Sequence, residues 1–277
     1  MKPKTILITG ATSGLGYETA KQLHIDGHNL ILANRNLEKA KRVEQELLDL
    51  NQKGTIDLQT VDLSSFSSIK KFSKSILLKY DKIDILINNA GVFSRRDVYT
   101  EEGFELALGV NYLGTYYLTE LLLPILKQTP NSKIIMVSSL GSYYGRLKLD
   151  RSFFNKKTSN FRDYFNSKLA NLIYTMQLKA LYPEITVKAA DPGVAYSNIW
   201  KWKNVIGRVI NGLYKLLFKS AKKASRAILQ LCDDIYDQED NILYKYKKSL
   251  RLPKKSRDNK FNDDFIRLTD NVIGDNI

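Results

Sequence analysis

The chain has 277 residues, with 43 Lys+Arg against 29 Asp+Glu, a formal net charge of +14, one cysteine and two histidines. A lone Cys232 excludes a disulfide framework and a cysteine-based zinc site, and two histidines are too few for a multi-histidine metal site and make a Ser-His-Asp hydrolase a poor choice. No run reaches the roughly 18 apolar residues of a membrane-spanning helix, and the apolar stretch after Met1 is too short for a signal peptide, so the expectation is a cytoplasmic protein.

Short β-branched runs alternate with helical patterns along the chain. Thr5–Thr9 is an almost wholly apolar run that ends in a glycine cluster, as expected of a strand covered on both faces. Leu15, Thr19, Ala20 and Leu23 then recur at helical spacing, and Gly27 closes that helix. His24 and His28 sit near its end and are expected to be surface or capping residues. Asn29–Ala33 is the second strand, and Leu37, Ala40, Val43, Leu47 and Leu50 mark the second helix. Thr55–Val61 is the third strand, followed by a helix with Phe66, Ile69, Phe72 and Ile76 on its apolar stripe. Ile83–Ile87, Lys133–Val137 and Ile185–Ala189 supply three more strands. Repeated strand–helix–strand units at this spacing give right-handed crossovers and a parallel sheet. The expected fold is α/β: one doubly wound Rossmann-type domain over residues 1–277, with about seven parallel strands and helices on both faces. The stretch from Lys245 to Ile277 is polar and basic with little periodicity.

Ligands of such sheets bind beyond the carboxyl ends of the strands. The first strand-to-helix turn reads Thr9-Gly10-Ala11-Thr12-Ser13-Gly14-Leu15-Gly16. Glycines there let backbone N–H groups approach a pyrophosphate, and the following helix N-terminus adds positive potential. With three residues between Gly10 and Gly14, the spacing departs from the common dinucleotide fingerprint. Asn88-Asn-Ala-Gly91 follows the fourth strand, Asn111 lies beyond it, Ser138-Ser139 follows the fifth, Tyr164-Phe-Asn-Ser-Lys168 comes next, and Pro192-Gly193 follows the sixth. In that order, across about residues 4–197, these motifs resemble the short-chain dehydrogenase/reductase family. Details such as ANRNLEKA, VDLSSFSSI and NSKLANLIYT look most like its retinol-dehydrogenase-like branch.

Tyr-x-x-x-Lys occurs four times, at Tyr17/Lys21, Tyr144/Lys148, Tyr164/Lys168 and Tyr244/Lys248. Context favours Tyr164: residues four apart share a helix face, and this helix lies between the fifth and sixth strands, downstream of Ser139. A free phenol has a pKa of about 10, so a neighbouring Lys168 ammonium and an oxidised nicotinamide are expected to lower it. The resemblance implies that Tyr164 exchanges the proton of a carbonyl or alcohol oxygen while hydride moves at carbon. It implies that Ser139, rather than Ser138, hydrogen-bonds that oxygen, that Lys168 also holds the nicotinamide ribose, and that Asn111 holds a water in a proton relay. Structurally, Asn111 could instead merely kink its helix.

For the cofactor, the resemblance assigns the turn Gly10, Thr12, Ser13, Gly14, Leu15 and Gly16 to the pyrophosphate. It assigns Asp62 and Leu63 to adenine, Asn89, Ala90 and Gly91 to the adenosine ribose, and Pro192, Gly193, Val194 and Ser197 to the carboxamide side. An acidic residue after the second strand would bind a ribose 2′-hydroxyl, but here Asn34 is followed by Arg35, whose guanidinium suits a 2′-phosphate. NADP(H) is therefore expected over NAD(H). Residues 194–220 correspond to the family's substrate lid. Trp200, Trp202, Val205, Ile206 and Leu213 point to a hydrophobic carbonyl or alcohol, and the interleaved cations to peripheral contact with an anionic membrane. Core packing with a solvated charged face explains the same pattern. Residues 195–277 carry 17 cations against 10 carboxylates, but no nucleic-acid-binding motif accompanies them, and no nucleic-acid partner is expected. The resemblance also implies a homo-oligomer. The competing reading is a dinucleotide-binding sensor or partner-binding protein without turnover.

Overall fold

The computed structural model describes residues 2–50, 53–93, 97–193, 220–237 and 239–276. The six apolar runs become strands β1 (Thr5–Thr9), β2 (Asn29–Asn34), β3 (Ile56–Thr60), β4 (Ile85–Asn88), β5 (Lys133–Val137) and β6 (Thr186–Ala190). The helices are α1 (Gly14–Ile25), α2 (Leu37–Leu48), α3 (Phe66–Lys79), the short α4 (Leu106–Leu108), α5 (Thr115–Gln128), α6 (Asn160–Leu181), α7 (Ala221–Cys232) and α8 (Asn259–Gly274). Two further strands, β7 (Leu243–Lys245) and β8 (Lys248–Leu250), complete one eight-stranded sheet of order β3-β2-β1-β4-β5-β6-β7-β8.

Every pairing is parallel except β7 with β8. The parallel part has the seven strands expected, and the eighth is an antiparallel hairpin at the edge. The order reverses between β1 and β4, and the crevice at that switch opens beyond the carboxyl ends of the strands.

Side chains alternate across the sheet, so each strand feeds two cores. Leu7, Ile31, Leu86, Ile134 and Val187 face α3, α5 and α6, where Ile69, Leu118 and Leu172 are fully buried or nearly so. Ile6, Ile8, Leu30, Leu32, Ile85 and Ile87 face the other side, against Leu23 of α1, Leu47 of α2 and Ile228 of α7. Burial of each such side chain contributes about 1.5–3 kcal/mol, which is why these short runs hold their register.

Side-chain oxygens cap several helices: Asn36 accepts from the Lys39 N–H, Ser65 from Ser68, Ser159 from Arg162, Ser220 from Lys223 and Asp258 from Phe261. Helix α1 lacks such a bond, although Ser13 stands at its N-cap.

Two expectations need correction. His24 and His28 are buried, not at the surface; the Nδ1 of His28 accepts from the Lys4 N–H at 3.2 Å, which ties the start of β1 to the α1–β2 turn. The tail after Lys245 is ordered by β8 and by α8, which buries Phe265, Ile266, Thr269, Val272 and Ile273 at helical spacing. The lid expected over about residues 194–220 lies, apart from Ser220, outside the described residues.

Candidate active site

The loops that follow β1 to β6 converge on a cavity of about 490 Å³. Gly10, Thr12, Ser13, Gly14, Leu15 and Gly16 form its floor after β1; Arg35 enters after β2, and Asp62 and Leu63 after β3. Asn89, Ala90 and Gly91 line it after β4, Ser138 and Ser139 after β5, and Pro192 and Gly193 after β6; Tyr164 and Lys168 reach it from α6. Val194 and Ser197 lie outside the described residues.

The turn is packed as a cradle. Gly10 has φ +70°, and a Cβ at Gly16 would lie 2.3 Å from the Gly10 carbonyl oxygen and 2.4 Å from Asn89 Nδ2. Asn89 donates from Nδ2 to the Thr9 and Gly10 carbonyls at 2.8 and 3.0 Å, while Thr9 Oγ1 accepts from the Asn89 and Ala90 amides. Asn34 Oδ1 accepts from the Ala11 N–H at 2.7 Å, and its buried Nδ2 has no hydrogen-bond partner among the described residues. A side-chain-free surface, an α1 N-terminus without a side-chain cap and an unpaired buried donor together fit an anionic dinucleotide. Asp62 is oriented by Ser64, whose amide and hydroxyl both donate to Oδ1.

At the other end of the cavity, Ser139 begins a single turn of 3-10 helix and accepts from the Gly141 N–H at 3.1 Å. Its hydroxyl also hydrogen-bonds the Tyr164 phenol. Ser138 is buried and its hydroxyl has no hydrogen-bond partner among the described residues, so the geometry singles out Ser139. Lys168 Nζ lies 5.7 Å from the Tyr164 ring centre and donates to the Val137 carbonyl at 2.8 Å. Burial brings the Lys168 ammonium down to about 8.

The phenol departs from expectation. Burial pushes Tyr164 up to about 12, the Ser139 hydrogen bond pulls the other way, and the Asp191 carboxylate adds to the rise. Spacing reveals which cation shares the helix face; it does not reveal desolvation, which dominates here.

Asn111 lies within a π-helical turn, Gly109–Gly114, between α4 and α5. Its side chain clamps the loop after β4, accepting from the Val92 N–H at 2.7 Å and donating to the Val92 carbonyl at 3.0 Å and to Ser167 Oγ at 3.1 Å. Asn171 Nδ2 donates to the Asn111 carbonyl at 2.7 Å. The irregular turn thus has a positioning role in the site.

The other three Tyr-x-x-x-Lys pairs are used elsewhere. Tyr17 donates to Glu46 and Tyr244 to Glu239, whereas Tyr144 lines the cavity mouth and is 64% exposed. Spacing alone missed Asn36, Lys39 and Asp191. Asn36 and Lys39 line the cavity beside Arg35; Lys39 follows Arg35 by four residues, the available signal. Asp191 is buried and its Oδ1 accepts from the Gly193 N–H at 2.7 Å. Among the described residues no cluster of side chains could hold a metal ion, and no helix is long and apolar enough to cross a membrane.

A family model described as short chain dehydrogenase matches residues 4–204. Retinol dehydrogenase 13 of Mus musculus is 34% identical over 256 residues, covering 90% of this chain and 76% of its own length. Polyprenol dehydrogenase of Homo sapiens is 33% identical over 228 residues, covering 78% of this chain and 68% of its own length. The crystal structure of an uncharacterized protein from Mycobacterium paratuberculosis superposes with a TM-score of 0.76 at 26% identity, covering 97% of this chain and 92% of that one. With that agreement in sequence and fold, the chain belongs to the short-chain dehydrogenase family, in its retinol-dehydrogenase-like branch, and is an oxidoreductase of the NAD(P)(H)-binding kind.

Proposed function

We propose that this protein is an NADP(H)-dependent oxidoreductase that interconverts a hydrophobic carbonyl compound and its alcohol, with Tyr164 as the proton donor and acceptor. The observation that carries the reading is the convergence of Ser139, Tyr164 and Lys168 on the same cavity as the glycine turn. When bound, the cofactor supplies or takes up the hydride. In reduction the Tyr164 hydroxyl donates its proton to the carbonyl oxygen, and the Ser139 hydroxyl bonds the same oxygen and fixes its position. With its phenol held near 12, Tyr164 is fully protonated at neutral pH and ready for this role. In oxidation it must lose that proton, and the Lys168 ammonium beside its ring stabilises the phenolate.

The preference for NADP(H) rests on the end of β2. Arg35, Asn36 and Lys39 line the cavity there; no carboxylate of this segment does, and Glu38 pairs with Lys41 at 3.4 Å. Two cations suit a ribose 2′-phosphate. The same reading includes peripheral contact with an anionic membrane surface. Within the described residues, the support for it is the basic strip Lys245–Arg257 beside the cavity mouth.

The test is one set of initial rates over a panel of carbonyl compounds with NADPH and with NADH. We expect NADPH to give the higher kcat/KM, by about tenfold or more. Tyr164→Phe should lose at least about a thousandfold in rate while still binding NADPH. A tenfold preference for NADH sinks the cofactor assignment. A phenylalanine variant that keeps its rate, or tight cofactor binding without turnover of any carbonyl, returns the protein to the sensor class.

A further inference from the structure

We propose that Lys157 is a positioning residue for the proton donor: its ammonium, set between the buried carboxylates of Glu105 and Asp163, locks the first turn of α6 onto the start of the segment that carries Asn111. The proposal rests on the reading of Tyr164 as the proton donor, because that hydroxyl is the group being positioned.

Lys157 belongs to the irregular segment between a single 3-10 turn, Arg151–Phe153, and α6. Its Nζ lies 3.0 Å from Glu105 Oε1 and 3.6 Å from Asp163 Oδ2. Both carboxylates have no exposure, and the lysine side chain retains 12%. Glu105 caps α4: its Oε2 accepts from the Leu108 N–H at 3.0 Å and its carbonyl from the Gly109 N–H at 2.7 Å, so its backbone runs directly into the π-helical turn of Asn111. Asp163 immediately precedes Tyr164, and its carboxylate accepts from both the amide and the hydroxyl of Thr158. The same irregular segment meets the π-helical turn a second time, where the Phe154 carbonyl accepts from the Glu105 N–H at 2.7 Å and the Phe154 ring stacks on Tyr112.

Two buried carboxylates stay ionised only if a cation is held against them. Among the described residues no cation other than Lys157 pairs with either. A triad of this kind is an expensive way to gain stability, and what it supplies is one fixed arrangement of the elements it joins. The site has need of that. The first N–H groups of a helix lack intrahelical partners, so the opening turn is the part that loosens most easily, and Tyr164 stands at the end of such a turn. One wall of the cavity, Gly91 and Val92, is clamped by Asn111; the facing wall carries Tyr164 and Lys168 on α6. The Asn111 amide joins the two walls through Ser167 Oγ at 3.1 Å, and Lys157 joins them at a second point. Two attachments fix the rotation of α6 as well as its distance. A displacement of about 1 Å at a reacting group can cost a hundredfold in rate.

The experiment cuts the bridge at either end, with Asp163→Asn and with Glu105→Gln. Each variant leaves Lys157 paired with the remaining carboxylate, so no buried charge is stranded, and the new amide oxygen still accepts from Thr158 or from Leu108. We expect both variants to bind NADPH within about twofold of the wild type and to lose about tenfold or more in kcat. Hydrogen exchange read by mass spectrometry should speed up by about tenfold or more over residues 160–165 in both, with β1 and β4 unchanged. A wild-type kcat in both variants overturns the proposal, as does unchanged exchange over that turn. A loss of kcat matched by an equal loss of NADPH binding also overturns it, because that is general damage rather than a misplaced hydroxyl. If the wild type reduces no carbonyl, the proposed reaction has failed, and exchange together with NADPH affinity still decides the bridge.

Discussion

Beside burial, two neighbours act on the Tyr164 phenol in opposite senses: the Ser139 hydroxyl lowers it and the Asp191 carboxylate raises it. Lys168 lies on its helix, and Asp191, buried at the end of β6, raises the phenol through its charge. Asp191→Asn removes that charge but keeps an oxygen able to accept from the Gly193 N–H. Without the negative charge the phenolate is easier to form, so the Tyr164 pKa should fall. Alcohol oxidation needs the phenolate, so the rising limb of its kcat/KM against pH should move to lower pH in the variant. A limb that stays in place or moves upward refutes the coupling. At this scale the sequence was informative about identity and poor about energetics. Four Tyr-x-x-x-Lys pairs reduced to one once strand order was considered. The rise that burial gives the phenol was not legible, because burial is a property of the folded surroundings and not of any spacing. Asp191 escaped notice for the same reason: an acid after a strand becomes relevant only when another loop closes over it.

Among the elements, the strands and the first three helices were legible because each carries a complete apolar period of its own. Helix α8 was not. Its buried residues, Phe265, Ile266, Thr269, Val272 and Ile273, do follow helical spacing, but they are separated by Asp and Asn and preceded by a lysine-rich stretch that hides the stripe. Their partners are distant in sequence: Phe265 stacks on Tyr112 and packs against Phe154, Tyr112 shares a hydrogen bond with Thr269, and Tyr116 donates to Asp270. This helix therefore braces the π-helical turn that carries Asn111. Phe265→Ala, at a site with no exposure, should cost about 3–5 kcal/mol of stability. Thermal or urea unfolding measures it. A loss below about 1 kcal/mol would mean that α8 is a surface appendage rather than part of the core.

Over the whole molecule, the positive charge is uneven. From Lys245 to Arg257 the chain carries Lys245, Lys247, Lys248, Arg251, Lys254, Lys255 and Arg257 without a single carboxylate. None of the seven makes an ion pair among the described residues, and six of them are exposed. Lys248 on β8 protects the edge of the sheet from pairing with other chains, but the run continues past Leu250, where there is no edge to protect. The strip is fastened to the cavity mouth: Tyr143 donates to the Arg251 carbonyl at 2.5 Å and Lys255 to the Gly145 carbonyl at 2.9 Å. Exposed Tyr144 and Tyr246 add rings of the amphipathic kind that settle at a membrane interface. Near an anionic bilayer each cation contributes about 1 kcal/mol, so reversing three of them should weaken binding far more than tenfold. Wild-type protein should sediment with phosphatidylserine-containing vesicles at low salt, leave them at high salt, and ignore pure phosphatidylcholine. Lys247→Glu/Lys248→Glu/Arg251→Glu should abolish that binding. Lys70→Glu/Lys71→Glu/Lys74→Glu, the same change in net charge on exposed positions of α3, should leave most of it intact. Equal losses in the two triple variants would show that overall charge, not this strip, governs the attraction, and binding that survives in the first would remove the strip from the membrane contact altogether.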